Sequence, residues 1–359
     1  MRYVVQTELS KGMLLARNLY DEHCNKVFVD GHKLSHRDVE RIKKAGYPGA
    51  YILDPCTDEI VAEPAISEQL YYNTASEVAR ILQNVRNDSS LHYCVSRTEQ
   101  LGIVEPILDA LFERQGALID YLDTRPYIGY EDFHAVMATV LALRIGMKLE
   151  MTREQLTDLA ISALFHDVGS LFLPEDVLNR PGRLTDEEFE VVKDHVKKGA
   201  EYLKSNFSLT PSMIQGVLQH HENFDGTGYP NGLRRKNISL NGRIIAVCDV
   251  YDALVSKRAF RPAMYPVAAL DILQQQSDRK FDPDVVEALD SIVAPYPIGC
   301  LVKLKSGEIC IVVLNYPEAP RRPLLEVYDG KCQQQVFFDL YKDPAYSNTV
   351  IAKVLDTLP

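Results

Sequence analysis

The pattern of apolar and polar positions changes period twice along the chain. Up to about residue 66, short apolar runs alternate with turn residues: Tyr3-Val4-Val5, Met13-Leu14-Leu15-Ala16, Val27-Phe28-Val29 and Ala50-Tyr51-Ile52-Leu53. Between the last two, Ser35 is placed to cap a helix through Ile42, with acidic residues early and Lys43-Lys44 late, as the helix dipole prefers. This predicts a small α+β module over residues 1–66. From 67 to 123 the spacing becomes three and four residues, through Val78, Ile81, Leu82 and Val85, then Ile103, Ile107, Leu108, Leu111 and Phe112, which predicts connecting helices.

Residues 124–294 read as an all-helical domain. Thr185 and Glu188 form a capping box that opens a helix expected to carry Phe189, Val192, His195, Val196 and Gly199 on one buried stripe. Thr210-Pro211 is a second start signal, and its helix runs into His220-His221. A further helix, from about Gly242 to Leu254, holds Ile245, Asp249 and Asp252 within helical reach of one another. After Pro295 the texture is β. One hairpin turns at Ser306-Gly307 and a second at Asp329-Gly330, which together predict a small β-barrel over residues 295–359. No internal repeat or low-complexity tract is visible.

Composition narrows the functional class. The 359 residues include 39 basic and 50 acidic side chains, a net charge of −11, which argues against a general nucleic-acid coat but leaves room for a local phosphate pocket. Seven cysteines, far apart and without C-x-x-C, read as thiols in a reducing compartment. No signal peptide or membrane-spanning run is evident, and a cytoplasmic protein is expected.

Histidine placement carries the chemistry. Of nine histidines, His134, His166, His195, His220 and His221 fall in the helical domain at fairly even intervals, joined by Asp167 and Asp249. A lone buried His is usually a satisfied core residue. One ligand cluster per successive helix, however, is how helical bundles build dinuclear metal sites, and a buried carboxylate needs a compensating charge. The shell is nitrogen and oxygen without thiolate, which suits iron or manganese, with nickel or zinc also accepted. Gly226-Thr227-Gly228 is no dinucleotide fingerprint, because the third glycine is missing, and His221-Glu222 does not continue into H-E-x-x-H.

The motifs HDVG at His166, HHENFDGTGYP at His220, RIIAVCDVYDAL at Arg243 and RAFRP at Arg258 resemble those of the HD-GYP family of HD phosphohydrolases. The resemblance covers about residues 124–294. It implies a mainly α, HD-type helical bundle with two flanking modules, and hydrolysis of cyclic di-GMP to pGpG and then GMP at a centre of two or three metals. Residue by residue, His134, His166, Asp167, His195, His220, His221 and Asp249 match the ligand positions, with Asp167 as the bridge. Arg258 and Arg261 match positions that hold the substrate phosphates, where a guanidinium fork suits a phosphodiester. Asp225, Gly228, Tyr229 and Pro230 belong to the GYP loop beside the pocket.

Two departures from the family pattern matter. Where the family reads HD-x-G-K, this chain has Ser170, which supplies neither the charge nor the reach of a lysine at the scissile phosphate. Loss of one such contact typically costs about two to three orders of magnitude in rate. Trinuclear members carry Glu four residues before the first ligand His. Here that residue is Tyr130, next to Glu131 and Asp132, so two metals are expected. The expectation is a phosphodiesterase of cyclic di-GMP or a related cyclic dinucleotide, slowed by Ser170. The alternative is a receptor that keeps the metal site without turnover. A homodimer, and a protein partner engaging the GYP loop, both stay open.

Overall fold

The computed structural model describes residues 1–53, 57, 59–88, 92–120, 122–126, 130–178, 180, 182, 184–258, 261–328 and 336–357, and only the backbone of Tyr130 and Glu131. The N-terminal elements are β1 (Arg2–Val5), β2 (Leu14–Leu15), β3 (Leu19–Tyr20), β4 (Lys26–Phe28), α1 (His36–Ala45) and β5 (Gly49–Leu53). β5 pairs antiparallel with β1 and β2, and β3 with β4. Ser35 caps α1 as its sequence predicts: its hydroxyl accepts the Asp38 N–H, and the Asp38 carboxylate accepts the Ser35 N–H in return. Val4, Leu15, Phe28 and Ile42 close a small core beneath this sheet.

The helical body comprises α2 (Glu68–Asn87), α3 (Arg97–Glu113), α4 (Tyr130–Lys148), α5 (Arg153–Leu164), α6 (Glu175–Leu178), α7 (Asp186–Lys193), α8 (His195–Asn206), α9 (Pro211–Gln219), α10 (Leu240–Val255), α11 (Pro266–Gln275) and α12 (Pro283–Ile292). Its spine is α4, in which every residue from Phe133 to Gly146 is buried. A helix apolar on all sides belongs in the middle of a bundle. Val136, Val140 and Leu141 pack in one cluster with Ile107 of α3, Leu159 of α5, Ile245 of α10 and Leu289 of α12. That cluster also holds Val78 and Ile81 of α2, so the two helices expected as connectors share the body's core.

One expected element breaks in two. The capping box at Thr185 and Glu188 is formed, but the helix it opens ends at Lys193. Asp194 keeps helical dihedrals (φ −67°, ψ −15°), yet its N–H reaches the Val191 carbonyl three residues back as well as Val192. This tight turn re-aims the chain before α8. His195, Val196 and Gly199 are buried as the stripe predicts, whereas Phe189 is 45% exposed.

The C-terminal module differs from expectation in closure. β6 (Leu301–Leu304), β7 (Ile309–Leu314), β8 (Leu324–Val327), β9 (Phe337–Asp339) and β10 (Ile351–Leu355) form one antiparallel sheet in the order β10-β6-β7-β8-β9. Both expected hairpins pair, although the Asp329-Gly330 turn lies outside the described residues. No pairing among the described residues joins β9 to β10, so this is an open sheet and not a barrel. A barrel covers its apolar face by curling. Here Cys300, Val302, Ile311 and Leu325 are covered instead by Met1, Tyr3 and Tyr51 of the N-terminal module. No helix among the described residues is long and apolar enough to cross a membrane.

Candidate metal centre

Four histidines meet near the ends of helices, three of them where a helix stops or starts. His166 follows the last turn of α5, His195 begins α8, His220 caps the end of α9, and His134 lies in the first turns of α4. In three of them the local device is identical. Nδ1 donates to the carbonyl three residues upstream: His166 to Ala163 at 2.8 Å, His195 to Val192 at 2.7 Å and His220 to Val217 at 2.7 Å. A carbonyl can only accept, so Nδ1 carries the proton, and in the neutral ring Nε2 presents a lone pair.

Those Nε2 atoms converge on the Asp167 carboxylate, at 3.4 Å from His166, 3.4 Å from His195 and 3.6 Å from His220. The Nε2 atoms of His195 and His220 lie 3.5 Å apart, and that of His166 is buried without a hydrogen-bond partner. Converging lone pairs and an orphaned buried nitrogen are what a cation would satisfy. Two ligand sets fit within 4.8 Å: Asp167 with His195, His220 and His221, and Asp167 with His134 and His166. Asp167 belongs to both. Its side chain is 48% exposed although histidines surround it, which marks open space beside the carboxylate. This donor set fits two borderline divalent ions sharing one carboxylate.

The close approach of His166-Asp167 to His195 requires glycine. A Cβ on Gly169 would stand 1.8 Å from the His195 carbonyl oxygen and 2.6 Å from the Gly199 nitrogen. Without it the turn after α5 could not lie against the first turn of α8.

Electrostatics divide the ligands into two kinds. Burial works against a charge on His134, but Asp249, 3.3 Å from its Nε2, and Asp252, 2.8 Å from its Nδ1, outweigh it and raise the imidazole pKa to about 10. Burial depresses His166, and depresses His221 strongly with help from His220. The enclosure resists ionisation of Asp167 and Asp249, yet the neighbouring histidines hold both carboxyls well below the usual range. A cation bound at His134 would therefore displace a proton that the two aspartates hold in its absence.

Sequence reading missed the support behind His134. Asp252, fully buried, accepts from His134 and is reached by Arg125, which also binds Asp123 at 2.7 Å, the Tyr71 hydroxyl at 2.8 Å and the Ser256 hydroxyl. Tyr3 of the N-terminal module donates to the Asp123 carbonyl at 2.8 Å, so the network spans both modules. The available signal was a second aspartate three residues after Asp249 on an apolar helix. Arg125, from another segment, left none.

The GYP loop is held from inside. The Glu222 carboxylate, 3% exposed, accepts the Asn231 N–H at 2.7 Å and the Leu233 N–H at 2.9 Å. Asp225 is engaged locally, accepting from the Thr227 N–H at 3.0 Å and hydroxyl at 2.6 Å. Gly228 packs where a Cβ would meet the Asn223 nitrogen at 2.1 Å, folding the loop onto the His220-His221 pair. The Tyr229-Pro230 peptide is cis, and the Tyr229 ring stacks on His221 with centroids 4.9 Å apart.

Beside these ligands opens a cavity of about 390 Å³, within the range of small-molecule sites. Its lining includes His220, His221, Asp249, Gly228 and Tyr229, and also Phe189, Lys193 and Lys280. Arg258 and Arg261 do not line it. Their backbones bond each other, N–H of Arg258 to O of Arg261 at 2.9 Å, and the Arg261 guanidinium reaches the Ala253 carbonyl. Ser170 sits in a 3-10 turn, Val168–Phe172, with its N–H on the Asp167 carbonyl at 2.9 Å.

The chain is similar to several known proteins. A family model described as an HD domain matches residues 110–285. A cyclic di-GMP phosphodiesterase of Pseudomonas aeruginosa is 29% identical over 87% of this chain and 75% of its own length. Another, of Thermotoga maritima, is 30% identical over 71% of this chain and 68% of its own. A 3'3'-cGAMP-specific phosphodiesterase of Vibrio cholerae is 38% identical, over 34% of this chain and 24% of that protein.

Proposed function

This chain belongs to the HD-GYP branch of the HD domain family and is a metal-dependent phosphohydrolase, and from that premise we propose that it hydrolyses cyclic di-GMP to pGpG and GMP. The observation that carries the reading is the convergence of three Nε2 lone pairs, each set by a carbonyl at Nδ1, on the shared Asp167. His195, His220 and His221 would hold one ion and His134 and His166 the other, with Asp167 belonging to both sets and the Asp249 carboxylate 3.3 Å from His134 Nε2. Divalent ions bound there, iron or manganese by the donor set, would supply Lewis acidity for phosphodiester hydrolysis.

The chain's own residues do the rest. Carbonyls fix His166, His195 and His220, and Asp252 fixes His134, so these four imidazoles need not reorient on binding. The GYP loop, pinned by Glu222, walls the cavity next to His221. Arg258 and Arg261, which match the family's phosphate-holding positions, stand outside the cavity lining, and the Arg261 guanidinium would have to leave the Ala253 carbonyl to meet a substrate phosphate. Ser170 favours a second reading, a cyclic-dinucleotide receptor that keeps its ions but turns over slowly or not at all. A serine there offers no charge to the leaving group.

The test is a product assay with cyclic di-GMP, anaerobic, with iron or manganese added, resolving pGpG from GMP. The phosphodiesterase reading expects linear product, its loss in Asp167→Ala, and a faster rate in Ser170→Lys. Metal-dependent binding with no product, and no gain in Ser170→Lys, would instead establish the receptor. Running 3'3'-cGAMP in parallel decides the base preference.

A further inference from the structure

Resting on the phosphodiesterase reading, we propose that Phe189 and Lys193 of α7 form the base-holding wall of the cavity, a purine of the dinucleotide stacking on Phe189 while Lys193 braces the ring and faces the ligand's negative charge. Nothing in the fold itself requires a large aromatic there. α7 is eight residues long with no buried residue, and it ends at the turn through Asp194. Yet Phe189, 45% exposed, is aimed at the cavity and lines it.

Its ring meets Tyr229 edge to face, with centroids 6.3 Å apart at 84°, and Tyr229 stacks on His221. The Lys193 ammonium, ion-paired with the exposed Glu190 at 2.5 Å, lies 4.9 Å from the Phe189 centroid and 5.7 Å from that of Tyr229, so a ligand phosphate would compete with that carboxylate for it. An aromatic ladder thus runs from the ligand His221 outward to Phe189, with one cation over two of its rings. Lys280 adds a second cation to the lining. Stacking faces beside lysines, next to a phosphohydrolase centre, match a base joined to a phosphodiester better than a bare phosphate ester.

The wall is a binding and positioning device, so its signature is in affinity and KM and not in metal content. The experiment measures binding of a phosphorothioate analogue of cyclic di-GMP to the metal-loaded full chain, together with KM for cyclic di-GMP and metal per chain. Phe189→Leu, which keeps the apolar bulk, is expected to weaken binding and raise KM about tenfold, whereas Phe189→Tyr stays near wild type. Lys193→Met is expected to weaken binding several-fold, and Lys193→Arg to restore it. Wild-type affinity in Phe189→Leu, or weaker binding accompanied by loss of metal, would overturn the wall and leave the phosphodiesterase reading standing. A wild-type chain that neither binds nor hydrolyses cyclic di-GMP would overturn both.

Discussion

The histidine cluster and the α7 wall of the neighbouring cavity are built on opposite principles. On the first, His166, His195 and His220 are almost fully buried, and each Nδ1 is fixed by a carbonyl within its own turn. On the second, α7 has no buried residue, and Phe189 is met by Tyr229 and Lys193 on the same wall. On the proposed reading the difference has a reason: ions tolerate little error in ligand position and gain from short local bonds, whereas a large organic ligand must enter and leave past a less buried wall.

The harshest way to break this contrast is to disturb the rigid side. Gly169→Ala forces the turn after α5 away from α8, because the new Cβ would overlap the His195 carbonyl. Metal per chain should fall by at least one ion, and thermal unfolding should show a loss of about 3 kcal/mol or more. Metal content and melting temperature unchanged from wild type would mean that the two turns do not need each other.

Next comes the support behind His134. Asp252→Asn keeps an acceptor for Nδ1 but removes the charge between His134 and Arg125. Metal affinity, measured by competition with a chelator, should drop roughly 10- to 100-fold for one of two ions. An equal loss of both would show that the network serves folding and not one site.

A smaller effect is expected where the two sides join. Glu222→Gln leaves one carbonyl oxygen for two backbone N–H groups, costing about 1–2 kcal/mol of loop order. KM should rise a few-fold with metal content constant. If metal is lost as well, the loop is part of the rigid side.

The smallest effect lies away from the site, at the seam with the C-terminal sheet. Burial raises the Asp120 carboxyl to about 6 against bonds from Asn315 and the Ile298 N–H, which lower it. A carboxyl whose pKa is raised by folding favours the folded state below its unfolded pKa, near 4, and loses that contribution as pH rises through about 6. Stability of Asp120→Asn should therefore fall less between pH 4 and 6 than that of wild type, with product formation unchanged. Identical slopes would place the carboxyl in water.

Much of the site was legible because its chemistry is written locally. HDVG and the His220-His221 pair put ligands at helix ends, and a histidine there can reach a carbonyl three residues upstream without help from elsewhere. The ligand roles themselves rest on the proposed reading. Less legible were residues whose partners come from other segments. Arg125 gains meaning only when Asp252 and Tyr71 surround it. Phe189 fitted a buried stripe until a tight turn at Asp194 rotated it outward.

The flanking modules show the same division. The period of the C-terminal strands and their hairpin turns followed from alternation and glycine placement. Closure did not, because an apolar sheet face can be covered by its own curl or by another segment with equal effect on burial. What the sequence determined by itself was where several helices start, the caps at Ser35 and Thr185, and the nitrogen and oxygen donors near helix ends, since each depends on contacts within a few residues. Only the tertiary structure decided that Met1, Tyr3 and Tyr51 cover the C-terminal sheet, that Arg125 stands behind His134, and that α7 faces the cavity. These arise from long-range packing, which balances burial over the whole chain and leaves no periodic mark in any one stretch.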